Sequence, residues 1–248
     1  MKPGATKISA ELAAQSALTA GQRDAMFQLL TAHFDGVARG QFEQDLAEKN
    51  WVLLLARGER LVGFTTLLAY ETEFAGEPLA VIYSGDTIVA AEAWGSTLLP
   101  RAWIAAVNQV RASLTPTRCV WLLLTSGFRT YRFLPVFWRE FWPRWDVSTP
   151  PEQVQLLEHL ACERFGPQFN PTTGLVRFDR PQRLCDVLNH IPAGRATDPH
   201  IAFFLGRNPG HVRGDELVCL TEIALENLTP AGWRMVNSPV HEFSCDTR

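Results

Sequence analysis

A loop of small residues lies between an apolar strand pattern and a helical pattern at residues 83–103. The strand pattern ends near Val89, Gly95 and Ser96 lie in the loop, and the helical pattern continues to about Ala112. Backbone N–H groups at the start of a helix have no partner within the helix and can bind a phosphate. The layout is typical of an anion site. A single loop glycine is also found in ordinary strand-to-helix joints that bind no ligand, which is the alternative.

Pro100 limits where this helix can begin. It has no backbone N–H, and its ring disfavours helical dihedrals at Leu99. We therefore expect Pro100 to take the first helical position, rather than a helix that begins at Gly95. Arg101 then lies in the first helical turn, and Thr97 remains in the loop.

Carboxylates on two strand patterns are candidates for proton transfer. Asp86 interrupts an apolar run, where a buried carboxylate needs a reason. The run Ser84–Gly85–Asp86 also fits a β-bulge. Glu71 and Glu73 lie at the end of an earlier strand pattern, and they share one face if the strand extends that far.

A segment rich in aromatic residues and arginines follows the apolar run Cys119–Leu124 and extends to Trp145. The hydroxyls of Thr125 and Ser126 lie at its start. Such a segment could bind a carboxylate or phosphate through a bidentate arginine, contact an acidic carrier protein or a membrane surface, or line an apolar acyl pocket. The alternative is an aromatic core face covered by arginine stems.

The elements that must position these residues follow from hydrophobic periodicity. Two helices are predicted after Thr19 and Gln41, the first with a capping box formed by Thr19 and Gln22. Three strands joined by short loops then predict an antiparallel meander, followed by a helix, an apolar central strand and a helix over the aromatic segment to about Trp142. The predicted strands are 51–56, 61–70, 79–89 and 119–124. The order α-α-β-β-β-α-β-α indicates an α+β protein.

This order, together with the loop, resembles the GCN5-related N-acetyltransferase (GNAT) superfamily over residues 19–145. Val89 and Gly95 fit the superfamily pattern Gln/Arg-x-x-Gly-x-Gly/Ala and the strand end before it. Thr97 and Leu99 stand where glycines are expected, and Trp94 or Glu92 stands where a basic residue is expected. The resemblance implies a three-layer α/β arrangement: a mixed, mostly antiparallel twisted sheet flanked by helices. Its last two parallel strands splay apart, and the cofactor enters the gap.

The resemblance also implies an activity. The protein would move an acyl group from acyl-CoA, acetyl-CoA or an acyl carrier protein to an amine of a small molecule or peptide by direct attack. The alternative is a GNAT-fold protein without catalysis that binds an acyl thioester, a carrier protein or a small ligand. The residues implied for the cofactor are Ile88, Val89, Gly95, Ser96, Thr97, Arg101 and Ser126.

The catalytic residues implied are one acid and one base. Tyr131 lies at the right distance after the central strand to protonate the departing thiolate, because a phenol with a pKa of about 10 matches its basicity. Arg101 is not one of these two: in the first turn of the helix after the phosphate loop, it would supply the basic residue that this loop lacks. Asp86 or Glu71 would be the base.

Composition limits the remaining functions and the organisation of the chain. A net charge of −3 over 248 residues argues against a general nucleic-acid binder, and no apolar run approaches the ~18 residues of a membrane span. Five scattered cysteines favour reduced thiols in the cytoplasm. The histidines show no i, i+4 pairs, and no metal is predicted.

Three segments are predicted along the chain. Residues 1–18 are expected to form a flexible arm, and residues 19–147 the GNAT-like core. Residues 148–248 form a C-terminal extension that could complete the sheet, act as a lid or form a homodimer surface. Within this extension the patterns at 152–165, 217–221 and 227–235 predict a helix, a strand and a helix.

Overall fold

The computed structural model describes residues 8–93, 97–195 and 197–236, which form a three-layer α+β protein. The strands are β1 (Ile8–Ala14), β2 (Phe34–Asp35), β3 (Trp51–Arg57), β4 (Arg60–Phe74), β5 (Glu77–Val89), β6 (Cys119–Thr125), β7 (Phe169–Asn170), β8 (Leu175–Val176), β9 (Arg183–Leu184) and β10 (Glu216–Glu222). The helices are α1 (Ala20–Thr31), α2 (Arg39–Ala47), α3 (Leu98–Ala112), α4 (Phe128–Tyr131), α5 (Phe133–Phe137), α6 (Pro151–Phe165), α7 (Asp186–Asn189), α8 (Pro199–Arg207) and α9 (Pro230–Val236).

One mixed sheet contains eight of these strands, in the order β1-β3-β4-β5-β6-β10-β8-β7. Its neighbouring strands are antiparallel except for β5 and β6, which are parallel. Helix α3 makes the crossover that a parallel pair requires. The predicted mixed, mostly antiparallel sheet is therefore confirmed. The short strands β2 and β9 pair with each other outside it.

The N-terminal residues correct one prediction. Ile8–Ala14 is the edge strand of the sheet and pairs with β3 from Ile8↔Arg57 to Ala14↔Trp51, so the expected flexible arm is wrong for these residues. Ala10 and Leu12 alternate into the core while Glu11 points outward, which is the pattern of a strand with one buried face.

The C-terminal part contributes further strands to the sheet. Strand β10 lies beside β6, with Leu217 opposite Thr125 and Glu222 opposite Val120, and β8 and β7 follow it. The predicted helix at 152–165 and the predicted helix near Pro230 are both present. The sheet thus continues past β6 with strands that come from beyond residue 148.

Helices cover both faces of the sheet. On one face, called the α3 face, the core joins inward residues of the strands to α3, the α4–α5 region and α8. On the other face, called the α6 face, α6 packs over β5, β6 and β10, and α1 and α2 pack over β3 and β4. Side chains of β5 alternate between them: Ala80 and Ile82 lie on the α3 face, whereas Leu79 and Val81 lie on the α6 face.

Local signals set the ends of the helices. Thr19 accepts a hydrogen bond from the N–H of Gln22 and the side chain of Gln22 accepts from Thr19, so the predicted capping box is present. Helix α3 begins at Leu98, so Pro100 takes its third position instead of the predicted first. Proline is tolerated there because the N–H groups of a first turn have no partner within the helix.

The aromatic segment is mostly core, and the predicted helix to Trp142 is wrong. The chain leaves the helix at Phe137, and Trp138 is extended and bridges to Leu228. The Trp138 ring packs against Trp121, with ring centroids 5.0 Å apart. The arginines bind neighbouring acids and carbonyls: Arg129, Arg132, Arg139 and Arg144 contact Leu188, Asp198, Leu228 and Asp146 respectively. None of the helices in the described ranges is both long and apolar enough to cross a membrane.

Candidate active site

The two parallel strands part at their carboxyl ends. Their pairing runs from Ala80↔Cys119 to Ser84↔Leu123 and stops there. Beyond this point β5 stays paired with β4 as far as Val89, whereas β6 follows β10. A cleft of about 990 Å³ opens at the gap.

A β-bulge in β5 marks the start of the gap. Thr65 pairs with Thr87 and Leu67 with Ser84, so Thr66 alone opposes both Gly85 and Asp86. The extra residue reverses the alternation of side chains, as a bulge does. Ser84 stays on the α3 face, where its hydroxyl accepts a hydrogen bond from the indole N–H of Trp121 at 2.8 Å.

The bulge turns Asp86 and Ile88 toward the α6 face. Ile88 packs there in the core that α1 and α2 cover. Gly85 makes the bulge feasible, because a Cβ at this position would lie 2.6 Å from Thr66 Oγ1 and 3.1 Å from Lys49 Cε. The predicted bulge at Ser84–Gly85–Asp86 is therefore present, and it places Asp86 at the edge of the gap.

The cleft has residues from both faces of the sheet in its walls, and the two walls differ. The wall on the α3 face has an apolar part formed by Leu98, Leu99, Pro100, Trp103, Trp121 and Phe133, and near α4 it also includes Ser126, Arg129, Thr130 and Arg132. The wall on the α6 face is mostly polar and includes Asp45, Glu48, Lys49, Tyr83, Asp86, Arg164 and Glu216. The gap between the strands thus joins an aromatic side to a charged side.

The charged side is organised around one buried cation. Lys49, which directly follows α2, is 8% exposed, and its Nζ donates to the backbone carbonyl of Asp45 at 2.8 Å. Nζ also lies 5.6 Å from the ring centroid of Tyr83. The guanidinium of Arg164 lies 5.2 Å from the same ring and forms an ion pair with Glu48.

Burial shifts the acid–base groups of this wall toward neutrality. Desolvation raises the pKa of Asp86 to about 6; the charge of Lys49 opposes this effect and that of Asp45 adds to it. Desolvation, followed by repulsion from Asp86, raises the pKa of Glu216 to about 8. Desolvation and the charge of Arg164 lower the pKa of Lys49. Near pH 7 Asp86 is therefore mostly ionised and has the basicity of a useful general base.

The predicted cofactor residues divide into three groups. Ile88, Val89 and Ser126 line the cleft. Gly95 and Ser96 lie outside the described residues, so the phosphate loop itself is not described. Thr97 precedes α3, and Arg101 is exposed within its first turn; neither is in the wall of the cleft. The first turn of α3 instead contributes Leu98, Leu99 and Pro100.

Tyr131 does not lie where the predicted acid is needed. Its side chain is fully buried, and its hydroxyl donates to the carbonyl of Pro143 at 3.0 Å. The ring packs among Phe141, Phe203 and Phe204, and burial raises the pKa of its phenol. Helix α4 is only one turn long, and it directs Tyr131 into the core of the α3 face. Of the three tyrosines, Tyr83 alone lines the cleft.

Glu71 is also outside the cleft. It pairs opposite Ala80, on the part of β4 beyond the bulge, and its carboxylate accepts a hydrogen bond from the N–H of Thr115 at 2.7 Å. This bond fixes the loop between α3 and β6. Of the two predicted bases, only Asp86 lies in the cleft.

Six residues of the charged wall escape prediction from the sequence: Asp45, Glu48, Lys49, Tyr83, Arg164 and Glu216. They come from the end of α2, from β5, from α6 and from β10, and no local spacing links them. One signal was available, because the chain contains 20 arginines and only three lysines, of which Lys49 alone lies beyond residue 7. In the described ranges, no group of three or more His, Cys, Asp or Glu side chains is placed to hold a metal ion.

Comparisons with known proteins concern the fold. No family model and no curated protein matches the chain. A solved structure of a probable N-acyltransferase from Enterococcus faecalis V583 is similar, with 14% identity over 55% of this chain and 33% of that chain and a TM-score of 0.43. A GCN5-related N-acetyltransferase from Kribbella flavida is similar, with 16% identity over 52% of this chain and 33% of that one and a TM-score of 0.40.

A third similar structure is an acyl-CoA N-acyltransferase from Pseudomonas aeruginosa, with 18% identity over 48% of this chain and 80% of that chain and a TM-score of 0.38. The present chain matches only about a third of the length of the first two. The topology of the chain itself consists of an antiparallel meander, a helical crossover and one parallel strand pair that parts at a bulge. These features match the GNAT-like fold that the sequence predicts.

Proposed function

We propose that this chain is an N-acyltransferase that transfers an acyl group from a CoA thioester to an amine by direct attack. The observation that carries the proposal is the parted pair of β5 and β6, with Asp86 at the bulge and a cleft that joins two unlike walls. Two substrates can approach the same gap from opposite faces of the sheet. Direct transfer needs this arrangement, because donor and acceptor must be held together.

The donor would lie against the apolar wall. Trp103, Trp121 and Phe133 offer a surface for an acyl chain or for the apolar parts of pantetheine. Backbone N–H groups of β5 around Ile88 and Val89 that point away from β4 would hold the thioester carbonyl as an oxyanion-type contact, and the Ser126 hydroxyl would contact a pantetheine amide. The CoA pyrophosphate would lie near the loop before α3, where Gly95, Ser96, Thr97 and Arg101 remain proposed contacts.

Asp86 would act as the general base. It is half-buried, lines the cleft and has a pKa of about 6, so it is mostly ionised at pH 7 and can accept a proton from an amine, directly or through one water. Turnover should fall as the pH drops through about 6, since protonation removes the base. Tyr83 replaces Tyr131 as the proposed acid because its phenol borders the cleft and that of Tyr131 does not; burial raises the pKa of both phenols, and the charge of Arg164 opposes this effect at Tyr83.

An inactive thioester-binding protein is the second candidate. The burial of Tyr131 in the core favours it, since the residue expected to be the acid cannot reach a thiolate without unpacking.

An acyl carrier protein also remains an alternative donor. The cysteines in the described ranges are free, in agreement with the reducing cytoplasm proposed as the location.

The test has a binding step and a turnover step. Native mass spectrometry with CoA, acetyl-CoA, palmitoyl-CoA and an acylated carrier protein identifies the donor. Turnover is then measured by CoA release across a panel of amines, for the wild type, Asp86→Asn and Glu71→Gln. The Glu71 variant is the matched control because it removes a strand-borne carboxylate outside the cleft.

Asp86→Asn should lower kcat by about 10²–10⁴-fold, the usual contribution of a general base, and Glu71→Gln should stay near wild type. If no thioester binds, the donor half of the proposal is wrong. If a thioester binds and no amine is acylated, the inactive binding protein is the better description.

A further inference from the structure

Lysine is rare in this chain, and its placement is unusual. The chain has 20 arginines and three lysines, and Lys2 and Lys7 precede the described residues. Lys49 is therefore the only lysine that the described ranges contain, yet its side chain is 8% exposed and lines the cleft. Lysines are almost never buried unless they are paired. The position of Lys49 therefore needs a specific explanation.

The amine of Lys49 lies where β5 and β6 part. Its Nζ is 3.9 Å from the position that a Cβ on Gly85 would occupy. Gly85 is the first residue of β5 beyond the parallel pairing, and the proposed thioester contacts at Ile88 and Val89 follow on the same strand. A carbonyl held beside Gly85, on the side of the thioester contacts nearest the bulge, would therefore have the Lys49 amine close by.

The charge of this amine is only partly compensated. Its contacts are the Asp45 carbonyl and the face of the Tyr83 ring, and no carboxylate of the described residues lies within ion-pair distance of Nζ. Glu48, the adjacent residue, is paired with Arg164 instead. Burial and the Arg164 charge lower the pKa of Lys49, which increases the share of neutral amine over that of an exposed lysine. A neutral, desolvated lysine amine is a nucleophile.

We propose that Lys49 is a self-acylation site that takes the acyl group from a CoA thioester bound in the same cleft. This inference depends on the proposed function. The ammonium first loses a proton to water. The neutral amine then attacks the thioester carbonyl carbon, so that a C–N bond forms and the C–S bond breaks. The second proton passes from nitrogen through Asp86 to solvent, and CoA leaves as a thiolate that water protonates.

Acylation of Lys49 would have a consequence for the cleft. The amide carries no charge and is larger than the ammonium, so it would occupy part of the charged wall beside Asp86. An amine acceptor would then find this side of the gap obstructed. The modified protein should turn over external amines more slowly, in proportion to the acylated fraction.

The experiment uses the other two lysines as an internal reference. The full chain is incubated with acetyl-CoA, and in parallel with palmitoyl-CoA, and peptide mapping by mass spectrometry gives the acylation rate of Lys2, Lys7 and Lys49. Native mass spectrometry of the same samples records the CoA complex. The same incubation in denaturing urea gives the intrinsic reactivities. Lys49→Arg keeps the charge and removes the acceptor amine.

Lys49 should be acylated at least about tenfold faster than Lys2 and Lys7 in the native protein, because a donor held in the cleft acts at a high effective concentration. The preference should vanish in urea, and Lys49→Arg should show no adduct at this position. If the CoA complex forms and Lys49 reacts no faster than the other lysines, the inference is wrong and the proposed function stands. If no CoA complex forms, both are wrong.

Discussion

Replacement of Asp86 by asparagine should stabilise the protein while it removes activity. Burial raises the pKa of this carboxyl from 3.8 to about 6. A group that binds its proton more tightly in the folded state costs the fold stability as the pH rises from its unfolded pKa to its folded pKa, and the loss is complete above the folded pKa. Two pH units correspond to about 3 kcal/mol, and this is the upper limit of the free energy that Asp86 costs the folded protein at pH 8.

The raised pKa of Asp86 predicts how the stability difference between wild type and Asp86→Asn changes with pH. Below about pH 4 Asp86 is protonated in both states, and wild type and Asp86→Asn should have similar free energies of unfolding. Between pH 4 and pH 6 the wild type loses stability relative to the variant; the difference then changes little until Glu216 ionises near pH 8, where its repulsion by Asp86 increases it. The gain of the variant should reach 1–3 kcal/mol, roughly, since the partly exposed carboxylate keeps some solvation.

Urea denaturation followed by tryptophan fluorescence measures this difference between pH 4 and pH 8.5, and the eight tryptophans provide the signal. Glu71→Gln removes the same charge from an exposed position and keeps an oxygen that can accept the hydrogen bond of Thr115, so it should change the free energy of unfolding by no more than about 1 kcal/mol. A variant that is less stable than wild type at pH 8, or a difference that does not change with pH, would refute the reasoning. Either result would mean that the buried carboxylate is better solvated or better paired than its surroundings indicate.

Two further predictions separate residues of the cleft from residues of the core. Tyr83→Phe should lower kcat by about tenfold or more, because it removes the proposed acid. Tyr131→Phe should keep its activity and lose about 1 kcal/mol of stability, because it loses one buried hydrogen bond. Equal kcat values for the two variants in a CoA-release assay would contradict the acid role of Tyr83. Gly85→Ala should destabilise the protein by about 1–3 kcal/mol and weaken acetyl-CoA binding, because its Cβ would lie 2.6 Å from Thr66 Oγ1. Gly21→Ala in α1 is the matched control, because no atom lies within 4 Å of its new Cβ. Thermal unfolding measures the stability of both variants, and native mass spectrometry measures their acetyl-CoA binding. A Gly85→Ala protein with wild-type properties would show that the bulge tolerates a side chain.

The fold is predictable where local pattern and packing agree. Strands β3 to β6 carry long apolar or β-branched runs, and α3 follows from its spacing, so their order could be deduced from the sequence. Strand β1 was missed because Ile8–Ala14 consists mainly of alanine and small polar residues, which have low strand propensity. Its conformation is determined by the partner strand β3, and a single sequence does not reveal that pairing.

The site was only partly predictable, for a related reason. Asp86 could be found because a carboxylate in an apolar strand is conspicuous. Tyr131 has the right distance along the chain after β6, yet the direction of its side chain depends on where a one-turn helix ends and on the core formed by α8. Glu216 lies 130 residues from Asp86 in the sequence, and only the pairing of β10 beside β6 brings the two carboxyls into one cleft.

The two different walls of the cleft would bind the two substrates of the proposed reaction on opposite sides of the sheet. A protonated amine approaching from the aromatic side would leave water without gaining a charged partner, which costs several kcal/mol for an ammonium. On the other side it meets the carboxyl groups of Asp45 and Asp86, which outnumber the cation Lys49 because Arg164 is paired with Glu48, and Asp86 can take a proton as the amine attacks. An acyl chain has the opposite preference and gains by contact with Trp103 and Trp121. In the proposed reaction, donor and acceptor would therefore enter from opposite faces of the sheet and meet near Gly85, the residue at which β5 leaves its parallel partner.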